Sequence, residues 1–211
     1  MPVAKSSGKQ ADPISAGVHP AVCTSVIDLG TQDPGNPKFR PSRKVMIGWE
    51  LPYETINIEG KDVPRSISCE YTLSLGKKAN LRAMLESWRG RAFTPEELDG
   101  FDVAKLLGVN CQLNVIHKPG VADPSKVYAR INGVIPLGKG QAKSTAVNKL
   151  LAFDIPEEGP ITIPADIPEW VAAKIVQSEE YKTRNGGGQH TEAQHEEPPQ
   201  DTGGDEQNVP F

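Results

Sequence analysis

From Ser66 to Leu75 apolar and polar residues alternate without a break, with Ile67, Cys69, Tyr71, Leu73 and Leu75 in one phase and Ser66, Ser68, Glu70, Thr72 and Ser74 in the other. Successive side chains of an extended chain point to opposite faces, so this run buries cleanly only as a strand with one face on a core. One such strand needs neighbours, and two weaker patterns precede it. Gly17 to Leu29 reads as a strand anchored by Val18, Val22 and the Val26-Ile27 pair. About Arg43 to Leu51 reads as another, with Val45, Ile47, Trp49 and Leu51 alternating with Lys44, Met46, Gly48 and Glu50. Thr31 to Pro41, rich in Pro and Gly, separates these two, and a loop containing Glu59-Gly60-Lys61-Asp62 precedes the third strand, placed at about Arg65 to Leu75.

After Leu75 the period changes. Leu81, Met84, Leu85 and Trp88 fall at helical spacing, which places Trp88 in the core, and Gly90 stands where a helix C-cap glycine belongs. Thr94-Pro95-Glu96-Glu97 has the form of a capping box with Pro at the first helical position. A further short helix is expected over Asp102 to Leu107, ending at Gly108. Strand patterns return at Val109 to His117 and Lys126 to Leu137. Three strands, a helical insertion and two strands is the order of an OB-fold, a five-stranded Greek-key barrel with its helix between strands three and four. The expected class is therefore mainly β.

Four regions are expected along the chain: a flexible N-terminus over residues 1–16, the barrel over 17–150, an extended segment with a packing helix over 151–184, and a disordered acidic tail over 185–211. In the third region Pro168 to Tyr181 reads as one helix with Trp170, Val171 and Ile175 as its apolar stripe. The tail is Gly, Gln, Glu, Pro and His, a composition that buries too little surface to fold. Charge divides along the same lines. Residues 1–150 carry 20 Lys plus Arg against 14 Asp plus Glu, residues 151–185 carry 3 against 7, and residues 186–211 carry 6 acids and no Lys or Arg. A basic body with an acidic tail is the asymmetry expected of a body that meets a polyanion.

Catalytic patterns are weak. Gly138-Lys139-Gly140-Gln141-Ala142-Lys143-Ser144-Thr145 approaches a phosphate loop, but Ala142 stands where the second Gly is required, so it reads as a flexible basic linker. His19 and His117 fall in strand patterns and His190 and His195 in the tail, so no metal-ligand spacing forms. Cys23, Cys69 and Cys111 are odd in number, far apart and without CxxC spacing, which suits small core residues in a reducing compartment. Neither an apolar leader in Met1 to Gln10 nor a bilayer-length apolar run is present. The reading is a cytoplasmic, non-enzymatic chain without a cofactor, metal or membrane partner.

Two stretches resemble known proteins. Ile67 to Leu75, Lys78-Ala79-Asn80-Leu81-Arg82, Glu86 to Thr94, Val115-Ile116-His117-Lys118 and Tyr128-Ala129-Arg130-Ile131 together resemble a family of small phage-encoded proteins taken to be OB-fold single-stranded DNA-binding proteins. The resemblance spans roughly residues 17–182 and implies a role in DNA replication or recombination, in the host cell cytoplasm if the chain is phage-encoded. The C-terminus resembles that of bacterial single-stranded DNA-binding proteins, where acids followed by a terminal Pro-Phe dock into replication and repair proteins. Here Asp205 and Glu206 would steer toward basic pockets and Val209, Pro210 and Phe211 would form the plug, with Gln207 and Asn208 interrupting the acids. Without DNA, the tail is expected to fold back on the basic body.

Sequence-independent binding of single strands needs cations along the backbone path and aromatic faces for bases. In OB-folds the usual site is the face of strands two and three, flanked by the loops between strands one and two and between four and five. The first loop region offers Lys38, Phe39, Arg40, Arg43 and Lys44, and the second Lys118, Lys126, Tyr128 and Arg130. Trp49, Tyr53, Arg65 and Tyr71 lie on or beside the central strands. Trp49 and Tyr71 share the apolar phase of their strands, which suits core packing as well as stacking, whereas Phe39 sits in a polar loop. Arg89 and Arg91 flank a helix end, where they can meet either carbonyls or phosphates. The rival function is an OB-like module that binds a host or phage protein and no DNA.

Overall fold

The computed structural model describes residues 12–121 and 123–186. Strands β1 (Gly17–Gln32), β2 (Ser42–Ile58), β3 (Lys61–Thr72), β4 (Asn110–Pro119) and β5 (Val127–Pro136) form one antiparallel sheet in the order β3-β2-β1-β4-β5. A short β6 (Leu151–Phe153) pairs parallel to the middle of β1 through Ser25, Val26 and Ile27. The helices are α1 (Asn80–Arg89), α2 (Pro95–Asp99), α3 (Glu169–Val176) and α4 (Glu179–Asn185), with a 3₁₀ turn at Val103–Leu106.

β1 serves two partners in succession. Gly17 to Val22 pairs with β4, and Val22 to Gln32 pairs with β2. Register shifts between Cys23 and Ser25 and between Asp28 and Gly30 mark where it bends, as bulges bend a strand. β2 and β3 form a hairpin much longer than the alternation alone marks out, closed by the two-residue turn Glu59-Gly60 with Ile58 opposite Lys61. Both turn residues have positive φ, 51° and 82°, the geometry whose twist matches that of the strands. Pro64 is tolerated because β3 is an edge strand.

Side chains from β1 to β5 enclose one apolar cluster with α1: Val45, Ile47, Trp49 and Leu51 from β2, Cys111, Leu113 and Val115 from β4, and Leu81, Leu85 and Trp88 from α1. Trp49 and Trp88 meet with ring centres 5.8 Å apart. The expected closed barrel does not form. No backbone ladder joins β3 to β5 among the described residues. Ala83, Met84 and Ser87 of α1 line a cleft between Cys69 and Tyr71 on one side and Ile131 to Val134 on the other, so side chains hold the two edges apart.

The capping box forms as expected: the Glu97 amide donates to Thr94 Oγ1 at 3.3 Å and the Thr94 amide to Glu97 Oε2 at 3.0 Å. Gly90 caps α1 with φ of 67°. Arg89 lies over Phe93, 4.4 Å from the ring centre, and pairs with Glu97, which also takes Arg91 at 2.8 Å. Cys23 and Cys111 are buried and Cys69 half-buried, with burial pushing the Cys23 thiol up to about 12.

A second apolar cluster lies on the outer face of β1 and β2, where Ile27, Leu29 and Met46 meet Ile155, Ile161, Ile167, Val171 and Ile175. The single expected C-terminal helix is two, because the buried Ser178 caps α4 through the Tyr181 amide at 3.1 Å. Trp170, expected to pack, is 54% exposed. The expected flexible start is also corrected within its described part: Ile14 is buried, and its carbonyl accepts from His117 Nε2 at 2.8 Å.

Candidate nucleic-acid interface

The sheet gathers most of the expected DNA-binding residues into two groups at opposite ends of β3. At its C-terminal end stands the β1–β2 loop. Asn36 Oδ1 accepts the Lys38 amide at 3.0 Å and the Asn36 carbonyl accepts the Phe39 amide, also at 3.0 Å. This turn presents Phe39 to solvent, 65% exposed, between the exposed Lys38 and Arg40. Lys44 follows on the outer phase of β2, opposite Thr72, and donates to its hydroxyl at 2.7 Å.

At the N-terminal end of β3 stand Arg65 and the β4–β5 hairpin. Arg65 and Tyr128 line one cleft of about 220 Å³ beside Pro13 and Ile14. Arg130 lies 5.7 Å from the Tyr128 ring centre, and Lys118 sits opposite Tyr128 in the ladder. Lys126 is exposed and 3.8 Å from Asp123. Tyr53 projects from β2 where the register shifts between Leu51 and Thr55, and it is 73% exposed.

One expected contact, Trp49, is corrected, and two others, Arg43 and Tyr71, are engaged within the fold. Trp49 is 0% exposed, turned into the core against Trp88, so no base reaches it. The hydrophobic gain from burying an indole outweighs its orphaned Nε1, which has no partner among the described groups. Arg43 is engaged by Asp28, to which its Nε donates at 3.0 Å, and Asp28 also accepts the amides of Gly30 and Ile155. That carboxylate is buried, and Arg43 is the cation that makes its burial tolerable. Tyr71 points inward, half-buried, and burial pushes its phenol up. Arg89 and Arg91 meet Glu97 rather than the open face of the sheet.

β3 itself is the wall shared by four clefts. Ser66 and Ile67 line the cleft at Arg65 and also one of about 460 Å³ on the outer face, shared with Ser68, Met46, Lys149 and Trp170. Farther along, Cys69 and Tyr71 line the cleft of about 440 Å³ that separates β3 from β5. At the end, Glu70 and Thr72 line one of about 520 Å³ with Lys44, Lys77 and Lys78. Glu70 is held by Lys174, which reaches it from α3 on the neighbouring strands. Lys77, Lys78, Lys149 and Trp170 are therefore neighbours of the site that the strand pattern did not reveal. The Lys77-Lys78 pair just before a helix start was a visible signal, whereas Trp170 followed the apolar stripe and carried none.

A buried carboxylate organises the loop beyond β5. Glu50 is fully buried on the outer phase of β2 and accepts the Val147 and Asn148 amides, each at 2.8 Å, and Asn148 Nδ2 at 2.6 Å. Ser144 and Asn110 exchange two further bonds, from the Ser144 amide at 2.8 Å and from Asn110 Nδ2 at 3.1 Å. The stretch expected to be a flexible linker is thus tied to the sheet.

No group of His, Cys, Asp and Glu suited to a metal occurs among the described residues, and no helix there is long and apolar enough to cross a membrane. Asp205, Glu206, Val209, Pro210 and Phe211 lie outside the described residues. No family model, curated protein or solved structure matches the chain.

Proposed function

We propose that this chain is a non-enzymatic, OB-like binder of single-stranded DNA, serving phage replication or recombination, and that its acidic tail recruits replication or recombination proteins. The observation that carries the reading is a pair of groups of cations and exposed aromatics along β3, with Lys38, Phe39, Arg40 and Lys44 toward its C-terminal end and Tyr53, Arg65, Lys118, Tyr128 and Arg130 toward the other. From Arg65 to Thr72 the path along β3 is about 23 Å at ~3.3 Å per residue. Hydroxyls of Ser66, Ser68 and Thr72 lie along it, which suits a polar backbone without selecting a sequence. Strand order β3-β2-β1-β4-β5, with β1 bent between two partners, supports an OB-like reading despite the open seam. Glu97 is taken up by Arg91 and Arg89, Glu86 by Arg82 and Asp166 by Lys149, and each is held below its ordinary range by its partner.

Fluorescence anisotropy of labelled oligo-dT against matched duplex, across a salt series, tests this. The expected result is binding of the single strand alone, with a log-log salt slope of about −0.7 per phosphate contacted. An oligo-dT signal that stays flat at low salt overturns it. The unpaired edges of β3 and β5 favour a second reading, a module that takes an extended protein segment by strand addition; that flat signal is the outcome it expects.

A further inference from the structure

The cleft on the outer face of β3 has a built wall that the expected DNA-binding residues do not include. Trp170 stands on α3, beside Val171, which is buried at 0% exposure, and one turn before Lys174, which pairs with Glu70 of β3. The helix is therefore anchored on both sides of the indole, by the outer apolar cluster beneath and by an ion pair across the sheet, while the indole itself is 54% exposed over the cleft. The same cleft is lined by Ser66 and Ser68, on the solvent phase of β3. At the mouth is Lys149, 80% exposed and 2.6 Å from Asp166. Its position is set by Asn148, whose amide and side chain are clamped by the buried Glu50.

We propose that this cleft, of about 460 Å³, is a base-stacking subsite in which one unpaired nucleobase lies on the Trp170 indole with its edge toward Ser66 and Ser68 and its phosphate at Lys149. This deepens the single-strand reading and rests on it. A hydroxyl can either donate or accept, so this wall accommodates any base edge, and every base has a face for the indole. A phosphate at Lys149 competes with Asp166 for the same ammonium, which makes occupancy salt-dependent. The subsite also explains what the C-terminal helices contribute: α3 covers part of the strand face and returns an aromatic surface in its place.

The molecule supplies its own reporter, because Trp49 and Trp88 are buried and Trp170 is the exposed indole of the three. Tryptophan emission and anisotropy of labelled oligo-dT are read on the same full-length sample. The expected result is quenching of the acrylamide-accessible emission in step with the anisotropy rise. Trp170→Ala abolishes that quenching and weakens binding by about 5- to 150-fold, the loss of one stacked base. Trp170→Phe retains most of the affinity, which separates stacking from a folding defect. Binding by anisotropy with unchanged emission and an unweakened Trp170→Ala overturns the subsite and leaves the single-strand reading intact. Absence of binding overturns both. A Trp170 emission that changes with protein concentration in the absence of DNA assigns the indole to contact between copies and overturns the subsite.

Discussion

β1 and β2 are covered on both faces, and β3 on one. The inner faces of all three meet the Trp49–Trp88 cluster, but the outer faces of β1 and β2 carry Ile27, Leu29 and Met46 under α3 and α4, while β3 carries Ser66, Ser68, Glu70 and Thr72. The difference is one of phase composition. A cluster of outward apolar residues demands a second layer, whereas a run of outward hydroxyls and charges needs none. Structure accumulates on β1 and β2 for that reason, and the clefts gather along β3.

Damage to one face shows whether the other depends on it. Trp49→Ala on the inner face should cost about 3–5 kcal/mol, by loss of a buried indole and the cavity it leaves, and should lower the thermal midpoint of the whole sheet. Ile175→Ala on the outer face should cost about 2–5 kcal/mol by the same physics, but hydrogen exchange should rise first in residues 155–186. Equal exchange increases throughout β4 and β5 would mean that the two clusters are one cooperative unit. Glu50→Gln, between the layers, should cost about 1–3 kcal/mol, because the amide keeps one acceptor and turns a donor toward the Val147 and Asn148 amides; denaturant midpoints measure it.

On the open side the effects fall on binding. Phe39→Ala should weaken oligo-dT binding by about 1–3 kcal/mol, while Trp49→Phe should leave it unchanged because no strand reaches that ring. The smallest effect is local and pH-dependent. Glu97 is held at about 2, below its ordinary 4.5, by the Arg91 guanidinium, the Thr94 amide and Arg89. The folded state thus binds fewer protons than the unfolded, and the support Glu97 gives α2 is fully present above 4.5 and disappears as pH falls through about 2. A carboxyl titration followed by NMR should place the Glu97 midpoint there, and Arg91→Ala should raise it.

Much of this was legible. Alternation marked β2 and β3 and put Val45, Ile47 and Leu51 on one phase, because period two sends successive side chains to opposite faces. Gly90 and the Thr94–Glu97 box announced their caps, because caps are local hydrogen-bonding problems solved within a few residues. The extension of β2 to Ile58 was not legible, because its pairing runs past Pro52 and Pro64, which an edge position and a register shift between Leu51 and Thr55 accommodate. Trp49 and Tyr71 could be placed on a phase but not inside or outside a ligand face, since alternation is blind to which side a helix will cover.

The sequence was enough for the centres of β1 to β5, the C-cap of α1, the N-cap of α2 and the separation of a basic body from an acidic tail, since each depends on neighbours within one turn or one pleat, or on composition. Tertiary structure alone decided that Arg43 belongs to Asp28, that Trp170 faces a cleft while Trp49 is sealed, and that β3 and β5 stay apart. Those outcomes depend on groups more than ten residues apart competing for the same space and the same hydrogen-bond partners, and that competition is settled only when the chain packs.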